Sequence, residues 1–125
     1  MIDKLPPRER ELFDLLYAAG EATAAELQES LGGSLSNSAI RVMLRRLEAK
    51  GAVRHREADG RFIYAPALPE SRIKQSALKQ FVQTYFGGSP VGAAAALIGM
   101  SEKVSAAELV QLEQLIAKAR QEDGR

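Results

Sequence analysis

The chain has 125 residues, of which 46% are hydrophobic and 26% charged, and its formal net charge is +1. That length suits one compact domain or two very small ones, and the balance is that of a folded protein with matter for a core. Cysteine is absent and His55 is the only histidine, which excludes disulfides, thiolate metal sites, cysteine nucleophiles and a His-based metal cage built from one chain.

Met1–Pro7 has no apolar core of the kind a signal peptide needs, so a cytoplasmic location is expected. Pro6-Pro7 suits the first turn of a helix, where a missing N–H costs nothing. Leu12, Leu15, Leu16 and Ala19 follow at helical spacing, and Gly20 supplies the stop. Thr23-Ala24-Ala25-Glu26 reads as a capping box opening a short helix that buries Leu27 and Leu31 and ends at Gly32-Gly33. Ser36-Asn37-Ser38 offers caps for a third helix over about 36–50, with Gly51 as its stop. Ile40, Met43, Leu44 and Leu47 share one face of that helix, and Ser38, Arg41, Arg45 and Glu48 share another.

After Gly51 the period changes. Val53–Arg56 and Arg61–Tyr64 read as two strands joined through Ala58-Asp59-Gly60, and Pro66 and Pro69 close the unit. A boundary near residue 68 is predicted, giving domains over 1–68 and 69–125. The second part is helical. Ile73, Ala77, Leu78, Phe81, Val82 and Tyr85 form a stripe over about 71–86, which Gly87-Gly88 breaks. A short helix over 91–98 is apolar nearly all round, yet far below the roughly 20 residues that cross a bilayer. Ser105-Ala106-Ala107-Glu108 is a second capping box, opening a helix with Leu109, Leu112, Ile116 and Ala119 on one seam. So many apolar faces on so short a segment point to self-association, or else to folding back on the first part. Ile73, Phe81, Tyr85, Leu97, Leu109, Leu112 and Ile116 are the candidate dimer contacts.

Charge is unevenly spread. Residues 1–35 hold three basic and seven acidic side chains, a net of −4, while residues 36–66 hold seven and three, a net of +4. The remainder, 67–125, nets +1. A basic segment in a neutral protein is what a phosphate-binding face looks like, or a solvated charged helix. Three short helices with a tight second turn, followed by a basic hairpin, make a winged helix-turn-helix, whose third helix enters the major groove. Asn37 can pair bidentately with adenine, Arg41 with guanine O6 and N7, and Ser38 with base or phosphate. Ser36, Arg45, Arg46 and Lys50, with Arg54, Arg56 and Arg61 of the wing, are the candidate backbone contacts. Other uses of these side chains stay open. Asn37 can cap its helix, Arg45 can pair with Glu48 or Glu11, His55 can be a plain surface residue and Tyr64 a core residue.

The stretch Ala39–Gly51 with the wing ending in Tyr64-Ala65-Pro66, then Phe86-Gly87-Gly88-Ser89-Pro90, then Ser105–Leu109, resembles the penicillinase-repressor family of bacterial transcription regulators, the BlaI/MecI/CopY type. The resemblance spans nearly the whole chain. It implies a mainly α protein: a winged helix-turn-helix followed by a helical dimerisation region. It also implies a homodimer that represses transcription from a palindromic operator of double-stranded DNA. Copper-sensing members carry a cysteine-rich motif, and this chain has no cysteine. Members of the antibiotic-resistance branch are cleaved at an Asn-Phe bond in the short interfacial helix, which here reads Ala94-Ala95-Ala96-Leu97-Ile98. No cofactor, metal, membrane partner or catalytic activity is expected. A second function fits the same basic face: a winged-helix module that docks on an acidic protein.

Overall fold

In a computed structural model, which describes residues 2–123 apart from the Asp3 side chain, the described residues form six α-helices and one β-hairpin. The chain divides into two compact units, Met1–Gln80 and Phe81–Arg125. The division falls inside a helix, beyond the proline-marked stretch where the composition changes. The early turns of that helix give Ile73 to the first unit's core.

In the first unit α1 (Pro7–Ala19) begins on proline and is stopped by Gly20, whose φ is 86°. α2 (Ala24–Ser30) has the capping box the sequence predicts. The Thr23 hydroxyl accepts the Glu26 N–H at 3.2 Å, and the Glu26 carboxylate accepts the Thr23 N–H at 2.9 Å. Those bonds, the backbone one first, hold the Glu26 carboxyl below its ordinary value. The turn into α3 passes through Gly32 and Gly33 at φ 68° and 75°. Two successive left-handed residues carry little strain only where side chains are absent. Gln28 Nε2 donates to the Leu35 carbonyl at 3.2 Å and holds this loop closed. α3 (Asn37–Ala49) is capped by Ser36, whose hydroxyl accepts the Ala39 N–H at 3.1 Å.

Leu12, Phe13 and Leu16 of α1 meet Ile40, Leu44 and Leu47 of α3, all with 0% exposure, and Leu27 of α2 completes the centre. The wing pairs β1 (Val53–Ala58) with β2 (Arg61–Pro66) in register from Val53↔Pro66 to Ala58↔Arg61. Both strands are longer than predicted, because the loop holds only Asp59 and Gly60. Their φ values of 54° and 75° give the turn whose twist matches the flanking strands. Ala22 bridges Tyr64 through N···O distances of 3.0 and 2.8 Å, tying the wing to the segment after α1. α4 (Glu70–Phe86) begins at the edge of this unit.

The second unit holds the end of α4, then α5 (Pro90–Met100) and α6 (Ala106–Asp123). Gly88 closes α4 by donating to the Val82 carbonyl at 3.0 Å. Ser89 caps α5 through the Gly92 N–H at 3.0 Å, and Ser105 with Glu108 forms the predicted capping box of α6. α5 is one turn longer than the sequence reading. Ala93 is its one buried residue among those described, and α6 buries none.

Thr23→Ala is expected to lower stability to urea by about 1 kcal/mol through loss of the cap. Since Glu26 titrates below its ordinary value in the folded chain, its contribution is present at neutral pH. It is lost as pH falls through the lowered value. Urea titrations of the wild type and Glu26→Gln should therefore converge on acidification.

Candidate nucleic-acid interface

α3 sorts its side chains by helical angle. With Ile40, Leu44 and Leu47 sunk in the core, Ser38, Arg41, Val42, Arg45, Arg46 and Ala49 are all exposed on the far side. At roughly 100° per residue, Val42 points directly away from the core row. Ser38 and Arg46 sit one turn to either side of it. Asn37 occupies the first helical position and is half-buried, and the Ser36 hydroxyl is engaged as the cap.

The wing has two distinct faces, which its register assigns. His55, Glu57, Phe62 and Tyr64 lie on one, and Arg54, Arg56, Arg61 and Ile63 on the other. α3 meets the first of these. A 2.6 Å hydrogen bond joins the Glu48 carboxylate to His55 Nδ1. The His55 ring centroid lies 4.5 Å from that of Phe62 and 5.7 Å from that of Tyr64. Tyr64 is 6% exposed. Burial pushes its phenol above the ordinary value, the Glu48 carboxylate pushes the same way, and Arg41 and Arg45 oppose them. Arg41 and Arg45 thus stand on the flank of α3 nearest the wing root.

The cations divide by what they touch. Among the described residues, Arg41, Arg45, Arg46, Arg54 and Arg61 make no salt bridge. The carboxylates open to Arg45 in the sequence are taken, Glu48 by His55 and Glu11 by Arg8. Arg56 reaches Glu21 at 3.1 Å, with both side chains more than half exposed. Lys50, a candidate backbone contact in the sequence, has an internal partner. Its Nζ lies 2.9 Å from the Glu9 carboxylate, whose side chain is only 6% exposed. A carboxylate taken that far out of water needs a partner charge, so Lys50 belongs to the joint between α1 and α3.

The expected dimer contacts divide as well. Ile73 is 4% exposed within the first unit's core, which leaves it no surface to offer a partner. Phe81, Tyr85, Leu97, Leu109 and Ile116 are exposed and Leu112 is half-buried. Val91, Met100 and Leu115, which sequence reasoning passed over, are exposed at 79%, 78% and 63%. Val42 and the Glu48–His55 pair were also missed. Val42 was legible on a helical wheel, two residues from both Ile40 and Leu44. The pair was not, since only the hairpin's placement brings residue 55 back to residue 48.

Such a helix beside such a hairpin defines the winged-helix class. A family model described as penicillinase repressor matches residues 5–118, and the chain belongs to that family. The solution structure of the DNA-binding domain of the repressor BlaI is 27% identical with a TM-score of 0.50. That match covers 57% of this chain and 89% of that one. A MarR variant from E. coli, solved with operator DNA, is 21% identical with a TM-score of 0.55, covering 93% and 76%. Streptococcus pneumoniae FabT, solved with DNA, is 17% identical with a TM-score of 0.53, covering 98% and 79%. These last two establish likeness of fold. A comparison with curated proteins finds no match.

Lys50→Ala is expected to cost about 1–3 kcal/mol in urea unfolding, because it strands the Glu9 carboxylate. The same variant should leave the salt dependence of DNA binding unchanged. A shallower slope would return Lys50 to the phosphate contacts.

Proposed function

We propose that the protein is a sequence-specific transcriptional repressor that binds a palindromic operator as a homodimer and blocks transcription without catalysis. One observation carries this reading: an exposed arc of α3 with Arg41, Arg45 and Arg46 outside any salt bridge among the described residues, backed by a row of fully buried side chains. Cations left unpaired beside a rigid core are preorganised for phosphate and base acceptors. α3 enters the major groove with Ser38 and Arg41 at base edges. Arg45 and Arg46 contact the backbone from further along the helix. Arg61 sits beside the tight turn at the wing tip, and Arg54 lies on the same hairpin face, so these two supply the wing's phosphate contacts. Arg56 contributes less, since it must first leave Glu21.

Homodimerisation is supported by the second unit, where α4, α5 and α6 leave large apolar side chains in water. Burying them against a second copy removes that cost at about 25 cal/mol per Å² of apolar surface. It also brings two copies of α3 into one complex, as the two halves of a dyad require. Family membership and the BlaI domain, named for binding DNA, support the same reading.

Salt titration of duplex binding tests the assignments. Arg41→Ala is expected to weaken the preferred duplex by about 1–3 kcal/mol and to relax preference at one base position. Arg61→Ala is expected to weaken every duplex alike and to lower the salt slope by about one unit. An equal loss on all sequences would move Arg41 to the backbone contacts. Leu109→Glu with Ile116→Glu is expected to give a folded monomer by light scattering, with operator affinity lowered about a hundredfold or more. A dimer of unchanged mass would place the interface elsewhere.

A further inference from the structure

Three large apolar side chains are exposed on the first unit among the described residues: Leu78 at 58%, on the α4 stripe with Phe81 and Tyr85, and Val42 and Phe62 at 39% and 49%. Phe62 has an internal reason for its place, because the His55 ring covers it at a centroid distance of 4.5 Å. Val42 has none. It sits in the middle of the outward arc of α3, with Ser38 one turn before, Arg46 one turn after, and Arg41 and Arg45 on the flank toward the wing. A branched alkyl group at the crest of a cationic helix adds nothing to phosphate binding, and water is a poor solvent for it. On a helix lying in the major groove, that crest faces the groove floor. The one apolar group presented there by standard bases is the C5-methyl of thymine.

We infer that Val42 is a specificity-determining residue, its isopropyl group packing on a thymine C5-methyl in each half-site while Ser38 and Arg41 bond to neighbouring base edges. This inference rests on the proposed DNA-binding function and adds to it a named base. The contact is one of desolvation, so it discriminates thymine from cytosine without a hydrogen bond and is insensitive to salt. Its position also orders the readout along the helix, with the apolar contact one turn beyond the polar contact of Ser38 and adjacent in sequence to that of Arg41.

Deoxyuridine scanning tests it, using the full-length protein and the duplex it selects from random sequence. Uracil keeps every hydrogen-bonding edge of thymine and lacks only the methyl. Replacing each thymine of one half-site in turn should lower wild-type affinity about three- to fivefold at a single position, the value of burying roughly one methyl group. Val42→Ala should bind the thymine duplex several-fold more weakly and be indifferent to uracil at that position. Val42→Thr, which keeps one methyl group, should retain part of the sensitivity. Because Val42 lies outside the core, both variants should unfold at the wild-type urea midpoint, so a change in binding reads out the contact. A flat uracil scan would overturn the inference, as would an undiminished uracil penalty in Val42→Ala, and in both cases the DNA-binding reading would stand. Failure to select any duplex would remove that reading first, and Val42 with it.

Discussion

The two-sidedness of α3 is the constraint on which the first unit depends. Ile40, Leu44 and Leu47 each have 0% exposure, and losing a side chain of this kind from a core costs about 2–5 kcal/mol. Turning the helix by one residue would bring Arg41 or Arg45 inward and carry part of the apolar row out into water. The rotational phase of α3 is therefore fixed by hydrophobic burial, and that phase decides which side chains face outward. Its ends are held too. Ser36 caps the start, and Lys50 on Glu9 joins the finish to α1. The wing inherits its position from the same anchor, through Ala52 and Val53 in the core and the Glu48–His55 bond beyond it. A cationic face held this rigidly loses little conformational freedom when it meets a polyanion.

The second unit presents the opposite balance. Its helices are well capped, yet most of their large apolar side chains are exposed, and Ala93 is the one buried side chain there among the described residues. Capping and propensity make helices locally consistent, but isolated helices of this length draw most of their stability from packing. A second copy supplies that packing in the proposed dimer. The first unit then provides recognition and the second provides pairing, with α4 running from one into the other.

Much of this was legible from local signals. The Thr23 and Ser105 capping boxes, the glycine stops and the apolar row of α3 each act over a few residues, and they place the helices within a turn. The Asp59-Gly60 turn was visible, although the strands run further toward it than alternation alone indicates. What the sequence did not disclose depends on contacts between distant residues. Lys50 reads as one more cation of a basic segment until the fold sets the buried Glu9 against it. Ile73 reads as part of a partner-seeking stripe until the first unit takes it into its core. The wing arginines read as one group, and only the strand register reveals that they face away from the side on which Glu48 of α3 meets His55.

The most direct measurement is selection of bound duplexes from a random pool by the purified protein, with light scattering on the complex that forms. Enrichment of a dyad whose half-sites lie about one helical turn apart, bound by two chains, is the expected result. Weak binding that vanishes with moderate salt and enriches no sequence would contradict it. The cationic arc of α3 would then be a non-specific electrostatic surface, and the repressor reading would fall.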